Sequence, residues 1–276
     1  MYMSDKFDIV IPVGPCDINQ FKQQLEYTRR NVIGYRRIYL VCFDPSLLGF
    51  INDPAVVVVS DDIFPFTKND VAHIHGNFER NAWYLQQLLK LYAGLVLPDI
   101  LDRYLVIDCD TYFLRQTLFV SETSGKSLYN TGTENHEPYF EHMGRLHVSL
   151  TRQFPQYSGI CHHMMFETRF VRELFEMVEK EKEKEKEKNQ PFWRIFLQNV
   201  RSDYFGMDIY NASGASEYEI YFNFIMKYHP NDVEIRQLRW ANVSVNPMNI
   251  NNKNTSISYV SWHYYMRREK YKGLIY

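Results

Sequence analysis

Short apolar runs alternate with longer stretches of helical periodicity over residues 1–100. The runs at 7–13, 37–43 and 55–60 are rich in β-branched residues, as buried strands are. A helical pattern at 19–31 separates the first two runs. Because strands joined through helices form parallel sheets, this order predicts an α/β fold with a mostly parallel sheet.

The pattern of apolar runs and helical stretches continues through the rest of the chain. Residues 103–115 predict a fourth buried strand, and residues 126–132 predict a fifth. Residues 169–188 predict a helix that runs into consecutive Glu-Lys pairs, and we interpret about 179–190 as a solvated helix extension or insertion outside any site. The length fits a single domain over residues 1–276.

The clearest helix pattern lies at residues 77–94. Its apolar residues recur at spacings of three and four and form one stripe: Phe78, Ala82, Leu85, Leu89 and Tyr92. The opposite face carries polar and aromatic side chains: Arg80, Trp83, Gln87 and Lys90. This face suits either the wall of a cleft that binds phosphate or sugar, or an ordinary surface with the tryptophan packed on a loop.

The charge balance is close to neutral, with 31 Lys and Arg against 33 Asp and Glu and a net charge of -2. This gives no electrostatic basis for binding nucleic acid or an anionic membrane surface. No run reaches the length of about eighteen apolar residues that a transmembrane segment needs, and no signal-peptide pattern is visible. We therefore expect a soluble, cytoplasmic protein, and reduced thiols because the 4 cysteines form no C-x-x-C pair.

The spacing of the glycines excludes two common ways of holding a nucleotide. None of the 12 glycines forms a G-x-G pattern and no G-x-x-x-x-G-K sequence occurs, so the dinucleotide fingerprint and the P-loop are both absent. A bound nucleotide would therefore need another partner for its phosphates, such as a metal ion.

Two aspartates, Asp108 and Asp110, stand where the apolar strand at 103–115 loses its hydrophobic character. At this spacing on a strand, both carboxylates face the same side. Carboxylates are ligands for Mg²⁺ or Mn²⁺, which can neutralise a diphosphate. A D-x-D pattern, in which one residue separates two aspartates, occurs about once by chance in a chain of this composition. The alternative is therefore a solvated strand end without a role.

Histidines supply further candidate ligands. His263 lies within a predicted strand at 256–265 and either completes a carboxylate-histidine metal site or lies in the core. The segment 157–166 holds Ser158 and Gly159, which allow close backbone approach to a ligand. It also holds His162 and His163, which either bind a phosphate or sugar hydroxyl or are structural.

A helix start near Ser216 supplies a candidate catalytic base. The spacing of Ser216 and Glu219 matches a capping box, in which the serine caps the helix and the glutamate reaches back to it. If Glu219 is committed to the cap, Glu217 is the freer carboxylate. Glu219 stays open as an alternative.

The ordered set of motifs resembles nucleotide-sugar glycosyltransferases of the GT-A fold, in particular single-domain transferases of bacteria and large DNA viruses. The set comprises an IPV strand, Asp61 and Asp62 after a valine strand, WYLQQLLKL, VIDCDTYF, SGICHHMMF, SEYEIYFNF and a C-terminal WH. The resemblance covers about residues 7–263 and implies a Rossmann-like, mostly parallel sheet flanked by helices.

The resemblance also implies a reaction and a set of roles. A sugar would pass from a nucleoside-diphosphate sugar, with a UDP-sugar favoured, to a hydroxyl of a glycan, a protein or a lipid-linked acceptor. Asp108, Asp110 and His263 would hold Mn²⁺ or Mg²⁺. Glu217 would be the base of an inverting enzyme. The remaining implied roles are the nucleoside site (Pro12, Val13, Asp61, Asp62), the approach to the donor (Arg80, Lys90) and the loop near the acceptor (Ser158, Gly159).

Two other functions fit parts of the pattern, and the oligomeric state stays open. A non-catalytic structural protein that binds a nucleotide or sugar would keep the aromatic cleft and tolerate loss of Glu217. A phosphohydrolase similar to the haloacid dehalogenases would use Asp108 and Asp110 as nucleophile and acid. In that family the motif lies on the first strand, whereas three predicted strands precede Asp108 here.

Overall fold

The computed structural model describes residues 6–76, 80–184, 190–200, 213–250 and 256–267. Its strands are β1 (Phe7–Val13), β2 (Val32–Ile33), β3 (Tyr35–Cys42), β4 (Val56–Ser60), β5 (Arg103–Ile107), β6 (Thr111–Phe113), β7 (Thr117–Leu118), β8 (Ser127–Tyr129), β9 (His163–Glu167), β10 (Val233–Ile235), β11 (Trp240–Asn242) and β12 (Tyr259–Ser261). Its α-helices are α1 (Ile18–Asn31), α2 (Lys68–His75), α3 (Asn81–Val96), α4 (Glu137–Leu146), α5 (Thr168–Lys184), α6 (Phe192–Gln198) and α7 (Glu217–Tyr228).

The central sheet has five strands in the order β4-β3-β1-β5-β9. Strands β4, β3, β1 and β5 run parallel, and β9 pairs antiparallel with β5 at one edge. The prediction of a mixed α/β chain with a mostly parallel central sheet flanked by helices is confirmed. The parallel strands therefore end at one edge of the sheet, where open α/β sheets bind ligands.

Three small sheets surround the central one. Strand β8 pairs with β10, β2 pairs with β7, and β6 pairs with β12, which in turn pairs with β11. The strand predicted at 126–132 is confirmed as β8, but it pairs with β10 outside the central sheet. The fifth strand of the central sheet is β9, which begins within the segment 157–166.

The predicted strand at 103–115 is interrupted. It divides into β5 and β6, because residues 108–110 form a turn between them. Strand β4 also differs from the prediction of a fully buried strand, since every one of its residues is only partly buried. Its place at the outer edge of the sheet explains this exposure.

The helices largely follow their predicted positions. Helix α3 packs against β1, α5 and α7, and thereby links the sheet to the start of α7. Phe78, assigned to the apolar stripe, lies outside the described residues, as do residues 185–189 of the charged extension. Within that extension Glu179 is not merely solvated, because its carboxylate accepts the backbone N–H of Phe192 at 2.7 Å. Among the described residues, no helix is both long enough and apolar enough to cross a membrane.

Candidate functional site

The two aspartates of the D-x-D pattern lie on a turn, and the prediction that they extend a strand is wrong. Strand β5 ends at Ile107, and the Asp108 backbone N–H then donates to the carbonyl of His162 at 2.9 Å. The Thr111 N–H returns to the Asp108 carbonyl at 2.9 Å, which closes a tight turn around Asp110. The turn lies beyond the carboxyl end of β5, at the edge of the sheet where we expected candidate residues.

Asp108 is held by three side chains. The ammonium of Lys90 lies 2.5 Å from Oδ1, and the Tyr218 hydroxyl donates to the same oxygen at 2.8 Å. The Nδ1 of His162 lies 3.4 Å from Oδ2. Burial opposes ionisation of Asp108, but the charge of Lys90 and the hydrogen bond of His162 hold its pKa well below the usual range.

Asp110 pairs with His263, which the resemblance assigned to the same metal site. The Nδ1 of His263 lies 2.9 Å from Oδ2 of Asp110, and the backbone N–H of Trp262 donates to the Asp110 carbonyl at 2.8 Å. The burial of His263 favours its neutral form, but the neighbouring Asp110 carboxylate raises the pKa of the imidazole above its usual value. The strand order explains this meeting, because β12 pairs with β6 directly after the turn.

Lys90 connects the aspartate turn to the predicted base. Its Nζ lies 2.6 Å from Oε1 of Glu217 and 2.5 Å from Asp108, so one ammonium serves two carboxylates. Gln87, one helical turn earlier, accepts the backbone N–H of Glu217 at 3.1 Å and donates to the Ala215 carbonyl at 3.2 Å. Burial raises the pKa of Glu217.

Part of the polar face of α3 therefore lies inside the protein. Gln87 and Lys90 are buried, and both bind the segment that begins α7. The reading of this face as an ordinary surface is wrong for these two residues. Lys90 contacts the carboxylates, while Trp83 on the same helix lines the cavity described below.

The capping box at Ser216 is half formed. Its hydroxyl accepts the backbone N–H of Glu219 at 3.3 Å, as predicted. The Glu219 side chain does not return to the cap, and instead accepts hydrogen bonds from Ser158 and from Asn223 Nδ2, the latter at 2.9 Å. Glu217 is not the free carboxylate that this motif predicted, since it is paired with Lys90.

Gly159 approaches a helix, and the prediction that it leaves room for a ligand is wrong. A Cβ at this position would lie 2.5 Å from Cβ of Phe222 and 2.6 Å from the carbonyl oxygen of Tyr218. Ser158 is fully buried and bridges backbone groups of Gly132 to Glu219. Both residues therefore hold α7 in place.

The two neighbouring histidines have different surroundings. His163 begins β9, and its buried ring packs among Phe113, Phe119 and Tyr259. Burial lowers the pKa of His163 to about 3. It is a core residue, so its predicted contact with a phosphate or sugar is wrong, whereas His162 lies beside Asp108.

A cavity of about 750 Å³ lies at the carboxyl edge of the sheet. The four predicted nucleoside residues, Pro12, Val13, Asp61 and Asp62, all line it. Burial and the neighbouring Asp62 raise the pKa of Asp61. The apolar side of α3 forms part of the wall through Ala82, Leu85 and Leu89.

Other lining residues had no sequence motif to mark them. Phe43, Phe66 and Lys68 line the cavity from the segments that follow β3 and β4. The predicted donor residue Arg80 is not among the lining residues, and its guanidinium lies 5.3 Å from the centre of the Trp83 ring. Arg80 therefore lies beside the cavity wall.

The donor atoms around the turn suit a hard divalent cation only in part. Asp110 and His263 offer a carboxylate oxygen and an imidazole nitrogen, which Mn²⁺ accepts. Asp108 is already bound to Lys90, which leaves it less available as a ligand. Within the described ranges no group of three or more His, Cys, Asp or Glu side chains is arranged to hold a metal ion.

Comparison with known proteins identifies a family for this chain. No curated protein matches the chain. A family model described as a family of unknown function, DUF6492, matches residues 45–251. This match covers well over half of the 276 residues and includes the aspartate turn, Lys90 and Glu217. The chain belongs to the DUF6492 family of unknown function.

Proposed function

We propose that this protein is a metal-dependent glycosyltransferase of the GT-A fold that transfers a sugar from a UDP-sugar to an acceptor hydroxyl. The observation that carries the proposal is the position of the aspartate turn between two partners. Asp108 is bound to the Lys90–Glu217 pair, and Asp110 is bound to His263. These charged side chains lie at the same edge of the sheet as a nucleoside-sized cavity.

The nucleoside would occupy the cavity at the ends of β1, β3 and β4. A volume of about 750 Å³ lies within the range of small-molecule sites. Phe43, Phe66 and Trp83 supply aromatic surface for a base, while Asp61 and Asp62 supply acceptors for ribose hydroxyls or a base N–H. A mainly apolar wall with a few oriented acceptors matches how proteins recognise nucleosides.

The diphosphate would lie at the aspartate turn. Mn²⁺ or Mg²⁺ held by Asp110 and His263 would offset the charge that develops on the leaving diphosphate. Lys90 places a fixed positive charge on the Asp108 side of the same turn. This charge compensates Asp108, so a single carboxylate is left for the cation.

Glu217 would act as the base for the acceptor. In an inverting transfer, the acceptor oxygen forms a bond to the anomeric carbon while the bond from that carbon to the diphosphate oxygen breaks. The proton of the acceptor hydroxyl passes to the Glu217 carboxylate. Its raised pKa suits proton uptake, and its contact with Lys90 places it next to Asp108. Glu219 is bound to Ser158 and Asn223 on the other side of α7, which favours Glu217 for this role.

One observation favours a non-catalytic protein that binds a nucleotide or sugar. The Glu217 side chain is only 4% exposed and already carries an ion pair, as a purely structural carboxylate would. The two functions differ in turnover. Release of UDP from a UDP-sugar by the wild type, together with its loss in Glu217→Gln, would exclude the binding protein.

The donor site can be tested with a thermal-shift panel of UDP, GDP, CMP and dTDP sugars, each with and without Mn²⁺. We expect UDP-sugars to stabilise the protein, and Mn²⁺ to increase that shift. Asp110→Asn should remove the part of the shift that depends on Mn²⁺. Asp232→Asn, which alters an aspartate bound to Arg169 away from the turn, serves as the control. The proposal is wrong if no nucleotide sugar binds and Asp110→Asn changes nothing.

A further inference from the structure

His162 has an unusual backbone conformation beside the aspartate turn. Its φ is 63°, in the left-handed region that non-glycine residues rarely adopt. In the described part of the chain, Asp99 is the other non-glycine residue with positive φ. Such conformations cost free energy and cluster where a side chain must be held in a functional position. The carbonyl of His162 accepts the Asp108 N–H, which joins this backbone to the aspartate turn.

The imidazole of His162 has one satisfied nitrogen and one without a partner. Nδ1 lies 3.4 Å from Oδ2 of Asp108. Nε2 is buried and has no hydrogen-bond partner among the described residues, and the residue as a whole is only 8% exposed. A buried polar atom left without a partner costs free energy, which a hydrogen bond to a bound hydroxyl would recover.

The surroundings of this ring suit a sugar. The ring centres of His162 and Trp240 lie 5.0 Å apart at an interplanar angle of 85°, and the ring centre of His263 lies 4.7 Å from that of His162. Trp240 is partly buried and stacks on Tyr259. An indole next to a few oriented polar groups offers an apolar surface for the C–H face of a sugar and hydrogen bonds for its hydroxyls.

We propose that Nε2 of His162 forms a hydrogen bond with a hydroxyl of the donor sugar, with Trp240 beside the sugar ring. The inference rests on the proposed glycosyltransferase function and adds a residue that determines which donor sugar is accepted. The donor sugar is the relevant one because His162 binds Asp108, the carboxylate joined through Lys90 to Glu217. The anomeric carbon must lie near that group during transfer.

His162→Asn tests the contact with little disturbance elsewhere. Asparagine tolerates the left-handed conformation and can keep a donor to Asp108, but its shorter side chain has no polar atom at the position of Nε2. Titration calorimetry with Mn²⁺ present would compare UDP with the UDP-sugar that gives the largest thermal shift. We expect affinity for the UDP-sugar to fall about tenfold, as loss of one hydrogen bond implies, while affinity for UDP stays unchanged.

Two further variants complete the experiment. His162→Gly, which fits a φ of 63° without strain, should give the same selective loss and provides a second test if the asparagine variant folds poorly. Asp99→Gly removes the other side chain at positive φ and should leave both affinities unchanged. An equal loss of affinity for UDP and for the UDP-sugar, or no loss of affinity for either, would overturn the inference. A wild-type protein that binds no nucleotide sugar would instead count against the proposed function itself.

Discussion

The Nζ of Lys90 lies 2.6 Å from Oε1 of Glu217, and the side chains of both residues are only 4% exposed. The same ammonium lies 2.5 Å from Asp108, so a single buried cation joins α3, α7 and the turn after β5. Burial disfavours the charged ammonium, but the two carboxylates raise the pKa of Lys90 above its usual value. This group therefore bears on both stability and chemistry, because it compensates two carboxylates that would otherwise repel each other.

Lys90→Met should strongly destabilise the protein. The substitution leaves Glu217 buried without its cation, and removing one member of a buried ion pair typically costs about 3–5 kcal/mol. We expect urea denaturation to show a loss of this order in the free energy of unfolding.

The exposed pair of Lys180 and Glu176 provides a matched control for Lys90. These side chains are 68% and 62% exposed, and Lys180→Met should change the free energy of unfolding by less than about 0.5 kcal/mol. Similar effects of the two substitutions would show that burial of the Lys90 group has no energetic importance. A further loss of UDP-sugar affinity in a folded Lys90→Met protein would connect the ammonium to the donor.

The two glutamates at the start of α7 should differ in what their loss affects. Glu217→Gln keeps the size of the side chain but removes the base, so turnover should fall by roughly 10²–10⁴-fold while UDP-sugar binding persists. Glu219→Gln weakens the carboxylate contacts with Ser158 and Asn223, so we expect a lower melting temperature. The measurements are UDP release and thermal denaturation of both variants. Loss of turnover in Glu219→Gln with normal turnover in Glu217→Gln would reverse the assignment.

Alternation of strands and helices was enough to predict which end of the sheet holds the candidate site. Pro12 and Val13 end β1, while Asp61 and Asp62 follow β4, so parallel strands bring all four to one edge. The residues that follow buried parallel strands meet regardless of the details of side-chain packing. For this reason the cavity was predictable without knowledge of long-range contacts.

The partners of the polar residues on α3 were not predictable in the same way. Amphipathic patterning assumes that polar side chains face water, and it fails when buried partners compensate them. Lys90 meets Glu217 across 127 positions of sequence, a separation that no local pattern encodes. The paired histidines show a similar limit. His163 begins β9 and packs among core aromatic rings, whereas His162 precedes the strand and lies beside Asp108, and no local pattern separates the two.

Gly159→Ala should disturb the position of α7. The added Cβ would lie 2.6 Å from the carbonyl oxygen of Tyr218, which is helix backbone and cannot rotate away. Either α7 or the loop must shift, so we expect a lower melting temperature together with reduced turnover. The second effect follows because α7 carries Glu217.

Gly144→Ala is the matched control for this steric argument. Gly144 lies within α4, and a Cβ there would meet nothing within 4 Å. Alanine at an exposed helical position should therefore stabilise the protein by about 0.5–1 kcal/mol, with turnover unchanged. Equal stability of the two variants would show that the close contact at Gly159 is easily relieved.

His163 should make the protein less stable as the pH falls. Burial lowers the pKa of His163 to about 3, from an ordinary value of 6.5. Between these values the unfolded chain takes up a proton and the folded protein does not. The contribution of neutral His163 to the free energy of unfolding is therefore complete above pH 6.5 and is lost as the pH falls toward 3. One such group contributes a slope of about 1.4 kcal/mol per pH unit.

His163→Phe should reduce this slope in urea denaturation followed from pH 7 to pH 4. No hydrogen bond of normal geometry reaches either ring nitrogen of His163 within the described residues, so stability at pH 7 should stay level or rise. His142 has a pKa that burial also lowers to about 3, but its Nε2 binds the Phe196 carbonyl at 2.9 Å. His142→Phe should therefore reduce the slope and also lower stability at pH 7, because a buried carbonyl loses its donor. An unchanged slope in His163→Phe would mean that the folded protein admits a proton at this position, contrary to its burial among aromatic rings.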